Sequence, residues 1–133
     1  MSKSKTDSFK LGIVGSRSFS NRKLLEWVLH SLKFQPSVIV SGGARGADSL
    51  AENYAKSHGI KTKIFHPDWE EHGKAAGPIR NKKIVEYSDA IIAFWDGSSR
   101  GTASSIRLSR DKKVPLLIIN FRKRYCLRYP FCE

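Results

Sequence analysis

Short apolar runs alternate with helical patterns along this chain, and this alternation limits its fold more than any other feature. Five runs are candidate strands: 11–14, which has the composition of a buried strand, and 37–40, 61–65, 90–94 and 114–119. Four segments between them carry apolar residues at helical spacing: 24–32, 48–57, 79–87 and 102–110. Strands that alternate with helices are typical of parallel sheets joined by crossover helices.

This order of elements predicts an α/β protein with a Rossmann-like three-layer fold and a five-stranded, doubly wound parallel sheet. The 133 residues are enough for one domain. We assign residues 10–120 to that domain, residues 1–9 to a flexible N-terminus and residues 121–133 to a basic, aromatic C-terminal tail.

Local signals give expected boundaries for three helices. Ser18 or Ser20 is expected to cap the first helix, and Gly59 is expected to end the second. Residues 66–78 are expected to be irregular, with a helix starting at Ile79 or Arg80 after Pro78.

Four segments rich in glycine, serine, arginine or asparagine follow four of the predicted strands. They are residues 15–17, 41–48, 66–81 and 96–102. Because ligands of open parallel sheets bind beyond the carboxyl ends of the strands, we expect these segments to meet at one site.

The residue types in these segments suit a phosphate group. Glycine lets backbone N–H groups approach an anion, and the helix that follows adds its positive N-terminus. Guanidinium groups bind phosphate oxygens in pairs, and the candidates are Arg17, Arg45, Arg80 and Arg100. The candidate hydroxyl donors are Ser16, Ser41, Ser98, Ser99 and Thr102. Asp48 and Asp96 are candidates to accept hydrogen bonds from a ribose or a base edge.

Several common site types are excluded by spacing. The chain has no P-loop, no G-x-G-x-x-G fingerprint and no G-x-S-x-G nucleophile elbow. His66 and His72 share one loop, but the histidines and cysteines lack metal-ligand spacing, so we expect no metal site and no required cofactor. Cys126 and Cys132 are expected to be reduced thiols.

The net charge of +12 favours polyanionic partners. No apolar run reaches the roughly 20 residues of a membrane helix, and the N-terminus lacks the apolar core of a signal peptide. We therefore expect a cytoplasmic protein without a membrane partner. Four aromatic residues interleave with arginines in the tail, a composition compatible with single-stranded nucleic acid; they are Phe121, Tyr125, Tyr129 and Phe131.

Four stretches in order, at residues 14–17, 41–48, 73–81 and 95–102, resemble the SLOG superfamily and specifically its YspA-related branch. The resemblance covers residues 10–119. It implies a Rossmann-like fold and a phosphorylated nucleotide-type ligand, including ADP-ribose or NAD derivatives in some branches. The ligand residues that it implies are Gly15, Ser16, Arg17, Gly42, Gly43, Arg45, Asp48, Arg80, Asn81, Asp96, Gly101 and Thr102.

Two relatives within the superfamily imply different functions. LOG enzymes release a base from a nucleoside monophosphate with a glutamate, and Ser105 stands at the matching position here. This favours a protein that senses or sequesters its ligand over an N-glycosidic or phosphate hydrolase, since Ser105 cannot supply a carboxylate. The resemblance to DprA implies a single-stranded nucleic-acid binder as a further alternative. A homodimer or larger homo-oligomer is also an expectation, because small domains of this kind often pair.

Overall fold

A computed structural model describes residues 9–122 and the backbone of residues 125–129. Within this part of the chain, six strands form one sheet: β1 (Lys10–Gly15), β2 (Val38–Ser41), β3 (Lys61–Ile64), β4 (Ala90–Trp95), β5 (Leu116–Asn120) and β6 (Tyr125–Tyr129). Their order is β3-β2-β1-β4-β5-β6. The predicted five-stranded parallel sheet is confirmed, since β1 to β5 are parallel to their neighbours.

The sixth strand is an addition to the predicted sheet. It runs antiparallel to β5, with Leu116 opposite Tyr129 and Asn120 opposite Tyr125. It comes from the segment 121–133, which the sequence assigns to a tail. An edge strand tolerates charged residues that a central strand would not. The arginines between the aromatic residues therefore interrupt the apolar pattern by which a strand is recognised in a sequence.

Four longer helices and one short helix connect the strands: α1 (Arg22–His30), α2 (Ala47–Ser57), α3 (Trp69–His72), α4 (Ala76–Tyr87) and α5 (Arg100–Asp111). A 3₁₀ turn at Gly73–Ala75 joins α3 to α4. No helix in the described residues is long and apolar enough to cross a membrane.

The helices form the outer layers on both faces of the sheet. Leu11 and Ile13 of β1 belong to a buried cluster with α1 and α2, whereas Val14 belongs to a second cluster with α4 and α5. Alternate residues of one strand thus enter different cores, as the two-residue period of a strand requires. Burying each such side chain stabilises the fold by about 1.5–3 kcal/mol, and the three-layer arrangement is confirmed.

Two predicted boundaries are wrong. Asn21, not Ser18 or Ser20, caps α1, because its side chain accepts a hydrogen bond from the Leu24 N–H at 3.0 Å. The helix α4 begins at Ala76, before Pro78. Proline is tolerated in a first turn, where its missing N–H has no helical partner.

The stretch 66–78 is also less irregular than expected. It contains α3, whose start is fixed by Asp68, since its carboxylate accepts from the Glu71 N–H at 3.0 Å. Four residues are too few for a helical period to show in a sequence. The predicted end of α2 is confirmed, because Gly59 follows the helix at φ +66°.

Two aromatic residues outside the range 10–120 contact the core. Phe9 and Phe121, assigned to the terminal segments, pack against the core, and the rings of Phe121 and Phe19 lie 4.9 Å apart. The predicted flexibility of the N-terminus falls on residues 1–8, outside the described residues. The side chains of Cys126 and Cys132 also lie outside them.

Candidate functional site

The candidate site lies where β1 and β4 separate at their carboxyl ends. In the sheet, β2 lies on one side of β1 and β4 lies on the other, so the strand order reverses its direction at this point. Ligands of such sheets bind at this topological switch point. Two adjoining depressions open there. The switch-point cavity of about 450 Å³ is lined by the loops after β1 and β4 together with residues of α2, α4 and α5. The outer cleft of about 410 Å³ lies over the loops after β2 and β3.

Most of the predicted ligand residues line these two depressions. Nine line the switch-point cavity: Gly15, Ser16, Arg17, Asp48, Arg80, Asn81, Asp96, Gly101 and Thr102. Three line the outer cleft: Gly42, Gly43 and Arg45. Arg17 and Arg80 line both, so the two depressions meet at these guanidinium groups.

Three of the candidates do not line either depression. The Ser41 hydroxyl donates to the Glu52 carboxylate at 2.5 Å, away from the cavity. Ser98 uses its backbone N–H to bind the Asp96 carboxylate at 2.9 Å. Arg100 is exposed at the first turn of α5 but is not part of the described lining. Ser41 and Ser98 therefore bond to neighbouring side chains of the protein and do not line the candidate site.

The loop after β1 is tied directly to the loop after β4. Ser16 is 1% exposed, and its hydroxyl oxygen accepts from the Asp96 N–H at 3.1 Å. The Ser16 N–H donates to the Phe94 carbonyl at 2.9 Å. At Gly15, a Cβ would stand 2.5 Å from the Cβ of Ala47. Glycine therefore allows α2 to pack closely against the end of β1.

Asp48 is a buried carboxylate in the first turn of α2, and it organises the loop after β2. Its Oδ2 accepts from the Gly42 N–H at 3.1 Å and the Ala44 N–H at 3.2 Å. Burial raises the pKa of Asp48 to about 6, although these N–H groups and the Arg80 guanidinium act in the opposite direction. Part of the carboxylate's hydrogen-bonding capacity therefore serves the protein itself.

Arg80 of α4 stands at the junction of the two depressions. Its Nη1 donates to the Gly42 carbonyl at 2.6 Å and its Nε to the Asn81 Oδ1 at 2.8 Å. The pKa of Arg80 is lowered, mainly because the guanidinium group is buried. The Asp48 carboxylate acts in the opposite direction, and the charge of Arg17 lowers the pKa further. Asn81 in turn donates to the Gly101 carbonyl at 3.4 Å. These contacts hold α4 against the loop after β2 and against α5.

The N-terminus of α5 faces the switch-point cavity through Gly101 and Thr102. Ser99 caps this helix, since its side chain accepts from the Thr102 N–H. Asp96 shapes the preceding loop by accepting from the Ser98 and Ser99 N–H groups, and these bonds, that of Ser98 foremost, lower its pKa. The positive end of a helix thus points into the cavity.

Sequence reasoning did not assign several lining residues. Ser105, singled out as the replacement of a glutamate, is 2% exposed and lines the switch-point cavity three residues after Thr102 on the same helix face. His66, Pro67 and Trp69 line the outer cleft. Helical spacing from Thr102 could have found Ser105, whereas the loop after β3 has no period that could have indicated the other three.

The expected absence of a metal site concerns histidine, cysteine and carboxylate clusters. Among the described residues, no group of three or more such side chains could hold a metal ion. His66 lines the outer cleft, while the Nε2 of His72 lies 3.6 Å from the Glu71 carboxylate. The two histidines therefore have different neighbours, although both belong to the segment 66–78.

Two solved structures resemble this fold. DNA processing protein A (DprA) from Streptococcus pneumoniae has a TM-score of 0.69 and 22% identity, over 84% of this chain and 50% of that chain. DNA processing protein A from Helicobacter pylori, described by its unique single-stranded DNA binding mode, has a TM-score of 0.66 and 25% identity, over 87% of this chain and 67% of that one. This chain thus spans half the length of the Streptococcus protein.

The sequence comparisons identify the family. Gene 61 protein of Mycobacterium phage D29 is 35% identical over 118 residues, which are 82% of this chain and 93% of that protein. The family model of the YspA, cpYpsA-related SLOG family matches residues 10–72, which include β1, the loop after β2 and α3. The chain belongs to the YspA, cpYpsA-related SLOG family.

Proposed function

We propose that this protein binds a phosphorylated nucleotide or a nucleotide-derived ligand, such as an ADP-ribose or NAD derivative, in the switch-point cavity. The observation that carries the proposal is the convergence of Arg17, Arg80 and the N-terminus of α5 on that one cavity. Guanidinium groups and helix N-termini both favour anions, and both bind phosphate groups.

The size and polarity of the cavity support a small ligand. Its volume of about 450 Å³ lies within the roughly 300–1,000 Å³ of small-molecule sites. At Gly101 a Cβ would meet nothing within 4 Å, so the first turn of α5 leaves open space at the cavity. The Ser16 and Thr102 hydroxyls, both nearly buried, add polar groups that suit a sugar or a phosphate.

The lining of the cavity supports binding over hydrolysis. Asp48 and Asp96 each use one carboxylate oxygen to accept two backbone N–H groups, so both hold the loops around the cavity in place. Ser105 lines the cavity at the position where the resemblance to LOG enzymes implies a glutamate. Cleavage of an N-glycosidic bond needs a carboxylate that stabilises positive charge or activates water, and a serine supplies none. The hydrolase is therefore the weaker alternative.

Isothermal titration calorimetry tests the proposal with ADP-ribose, NAD, AMP and unphosphorylated adenosine. We expect the phosphorylated compounds to bind and adenosine to bind at least roughly tenfold more weakly, a difference of about 1.4 kcal/mol. Arg17→Gln should weaken the phosphorylated ligands by a similar factor. Arg22→Gln, which removes an exposed arginine of α1 paired with Glu26, is the matched control and should leave binding unchanged.

Two results would reject parts of this proposal. Binding of none of the phosphorylated compounds would reject the function itself. If chromatography shows that the protein converts a bound compound, and Asp48→Asn or Asp96→Asn abolishes the conversion, the protein is a hydrolase and not a binding protein. A cytoplasmic location and a homo-oligomer are further proposals, and light scattering of the purified protein checks the second.

A second candidate function is single-stranded nucleic-acid binding, which one observation favours. Arg17 and Arg45 are exposed along the outer cleft, in a protein of net charge +12. The Helicobacter pylori relative is described by a single-stranded DNA binding mode. Fluorescence anisotropy with labelled oligo(dT) tests this candidate.

If this candidate is right, affinity for oligo(dT) falls steeply with salt, and Arg45→Gln lowers the magnitude of the logarithmic slope by about 0.7. Arg22→Gln is again the control. No binding at low salt would reject the candidate. Deleting the tail is not a suitable test, because residues 125–129 form β6 and their removal would expose the edge of β5.

A further inference from the structure

The outer cleft contains an aromatic surface that the phosphate chemistry does not use. Trp69 is 54% exposed and lines the cleft beside Arg17, Arg45 and Arg80. Single exposed aromatic residues are common at protein surfaces, but Trp69 lies inside a cleft that is also lined by three arginines.

The structure holds Trp69 in place by its surroundings on the chain. It is the first residue of α3, which Asp68 caps. Its Cη2 lies 3.7 Å from where a Cβ on Gly77 would stand, so the indole edge packs along the first turn of α4. The exposed part of the ring belongs to the lining of the outer cleft.

The wall beside Trp69 depends on close contact with the loop after β2. At Gly43, which has φ +75°, a Cβ would lie 2.7 Å from the Cε1 of His66. Because glycine occupies this position, the imidazole of His66 lies directly against the loop. The cleft thus combines an aromatic ring, an imidazole and the arginines that it shares with the switch-point cavity.

We propose that the outer cleft is a subsite for a nucleobase stacked on Trp69. The phosphates of the same ligand lie between Arg17, Arg80 and the N-terminus of α5, and its remaining sugar-like group occupies the rest of the switch-point cavity. The ligand class is then a nucleotide in which a diphosphate joins a base to a second polar group, as in a nucleoside diphosphate sugar or a dinucleotide. This inference rests on the proposed function and specifies its ligand.

Two observations support a single ligand that occupies both depressions. Both depressions share Arg17, Ala44 and Arg80, so a ligand that crosses between them must pass the guanidinium groups. The polar groups that suit a sugar, Ser16 and Thr102, line only the switch-point cavity, while the exposed aromatic ring lines only the outer cleft. A two-ended ligand with phosphates in its middle matches this order.

Calorimetry with ADP-ribose, AMP, ribose 5-phosphate and inorganic pyrophosphate tests the subsite. Trp69→Ala should weaken ADP-ribose about 5- to 100-fold, the usual effect of removing a stacked aromatic partner. It should leave ribose 5-phosphate and pyrophosphate unchanged, since neither has a base. Trp69→Phe should retain most of the affinity for ADP-ribose. Trp27→Ala, which removes the 68% exposed tryptophan of α1, is the matched control and should have no effect.

The outcomes separate this inference from the proposed function. If Trp69→Ala leaves ADP-ribose binding intact, or weakens ribose 5-phosphate equally, the stacking subsite is wrong while phosphate binding stands. If oligo(dT) binds more tightly than ADP-ribose and depends on Trp69, the subsite serves a polynucleotide and the small-molecule assignment is wrong. If the wild-type protein binds none of the compounds, the proposed function itself fails. Circular dichroism of each variant checks that the fold is retained.

Discussion

Asp48 is the residue whose ionisation most directly links the site to stability. It is only 6% exposed, and burial raises its pKa from 3.8 to about 6. A raised pKa means that the folded state binds the proton more tightly than the unfolded state. The resulting stabilisation is fully present below pH 3.8 and is lost as the pH rises through about 6.

We therefore predict a pH-dependent difference between the wild-type protein and Asp48→Asn. Asparagine keeps an oxygen that can accept from Gly42 and Ala44 but does not ionise. Between pH 4 and pH 7.5, the wild-type free energy of unfolding should fall relative to the variant by about 2 kcal/mol. Urea unfolding at several pH values measures this difference.

The control for this prediction is Asp111→Asn, at the exposed end of α5. It removes a carboxylate from an exposed position, so any pH dependence that both variants share does not come from the burial of Asp48. An Asp48→Asn effect that is the same at each pH would show that the burial of this carboxylate has no energetic consequence in the folded state.

Gly101 is a residue where stability and binding are predicted to change in opposite directions. It lies in the first turn of α5 with nothing within 4 Å of a Cβ. Gly101→Ala should stabilise the protein by about 0.5–1 kcal/mol through helix propensity. Gly101→Leu should fold but occupy the open space, weakening ADP-ribose roughly tenfold, or about 1.4 kcal/mol. Thermal unfolding and calorimetry measure the two effects, and unchanged affinity in the leucine variant would argue against a ligand beside this turn.

The element that sets the position of α2 is the turn at Gly46. This residue has φ +79° and ψ −127°, and a Cβ would stand 2.6 Å from the Arg17 carbonyl oxygen and closer still to that of Ser16. The start of α2 therefore crosses the loop after β1 so closely that there is no room for a side chain at this position. A side chain at this position has to move one of the two elements.

We predict that Gly46→Ala destabilises the protein by about 2–4 kcal/mol, since it combines backbone strain with this close contact. It should also weaken phosphate ligands, because Ser16 and Arg17 must move. Gly59→Ala is the matched control: φ is +66° but no atom lies within 4 Å of a Cβ. That variant should cost only about 1–2 kcal/mol and leave affinity unchanged. Equal effects of both substitutions on binding would contradict the role of the Gly46 crossing.

The long elements could be predicted from the sequence because each presents a full period of apolar residues. The helix α2 places Ala51, Tyr54 and Ala55 in the core, as the spacing indicates. The short helix α3 and the strand β6 could not be predicted in this way. In α3 only one turn exists, and in β6 the pairing with β5 depends on contacts between distant parts of the chain.

The candidate site was predictable to the extent that it depends on strand order. Parallel strands bring the loops after β1, β2 and β4 to one edge, and this places Ser16, Arg17 and Asp48 together. Side-chain direction was not predictable. The Ser41 hydroxyl donates to the Glu52 carboxylate, and the Ser98 hydroxyl donates to the Asp96 carboxylate at 3.4 Å. Trp69 was missed as a site residue because its exposure becomes visible only in the folded chain.

At the scale of the whole molecule, charge connects stability with ligand binding. The protein has 24 basic and 12 acidic residues. An excess of one sign destabilises the compact state through self-repulsion, and dissolved salt screens this repulsion over about 10 Å at 0.1 M. Raising the ionic strength should therefore stabilise the protein even though it weakens binding of a charged ligand.

We predict that sodium sulfate raises the Tm more than sodium chloride does at equal ionic strength. Sulfate resembles phosphate and should occupy the site between Arg17, Arg80 and the N-terminus of α5. At ten times its Kd it would add about 1.4 kcal/mol, or roughly 4 °C in Tm.

Sulfate also stabilises proteins by general exclusion from their surfaces, but that effect should be the same in all variants. The excess over chloride should fall in Arg17→Gln and persist in Arg22→Gln, because only the first substitution changes the cavity. If differential scanning fluorimetry gives the same excess in both variants, sulfate acts on the surface as a whole and the cavity is not an anion site.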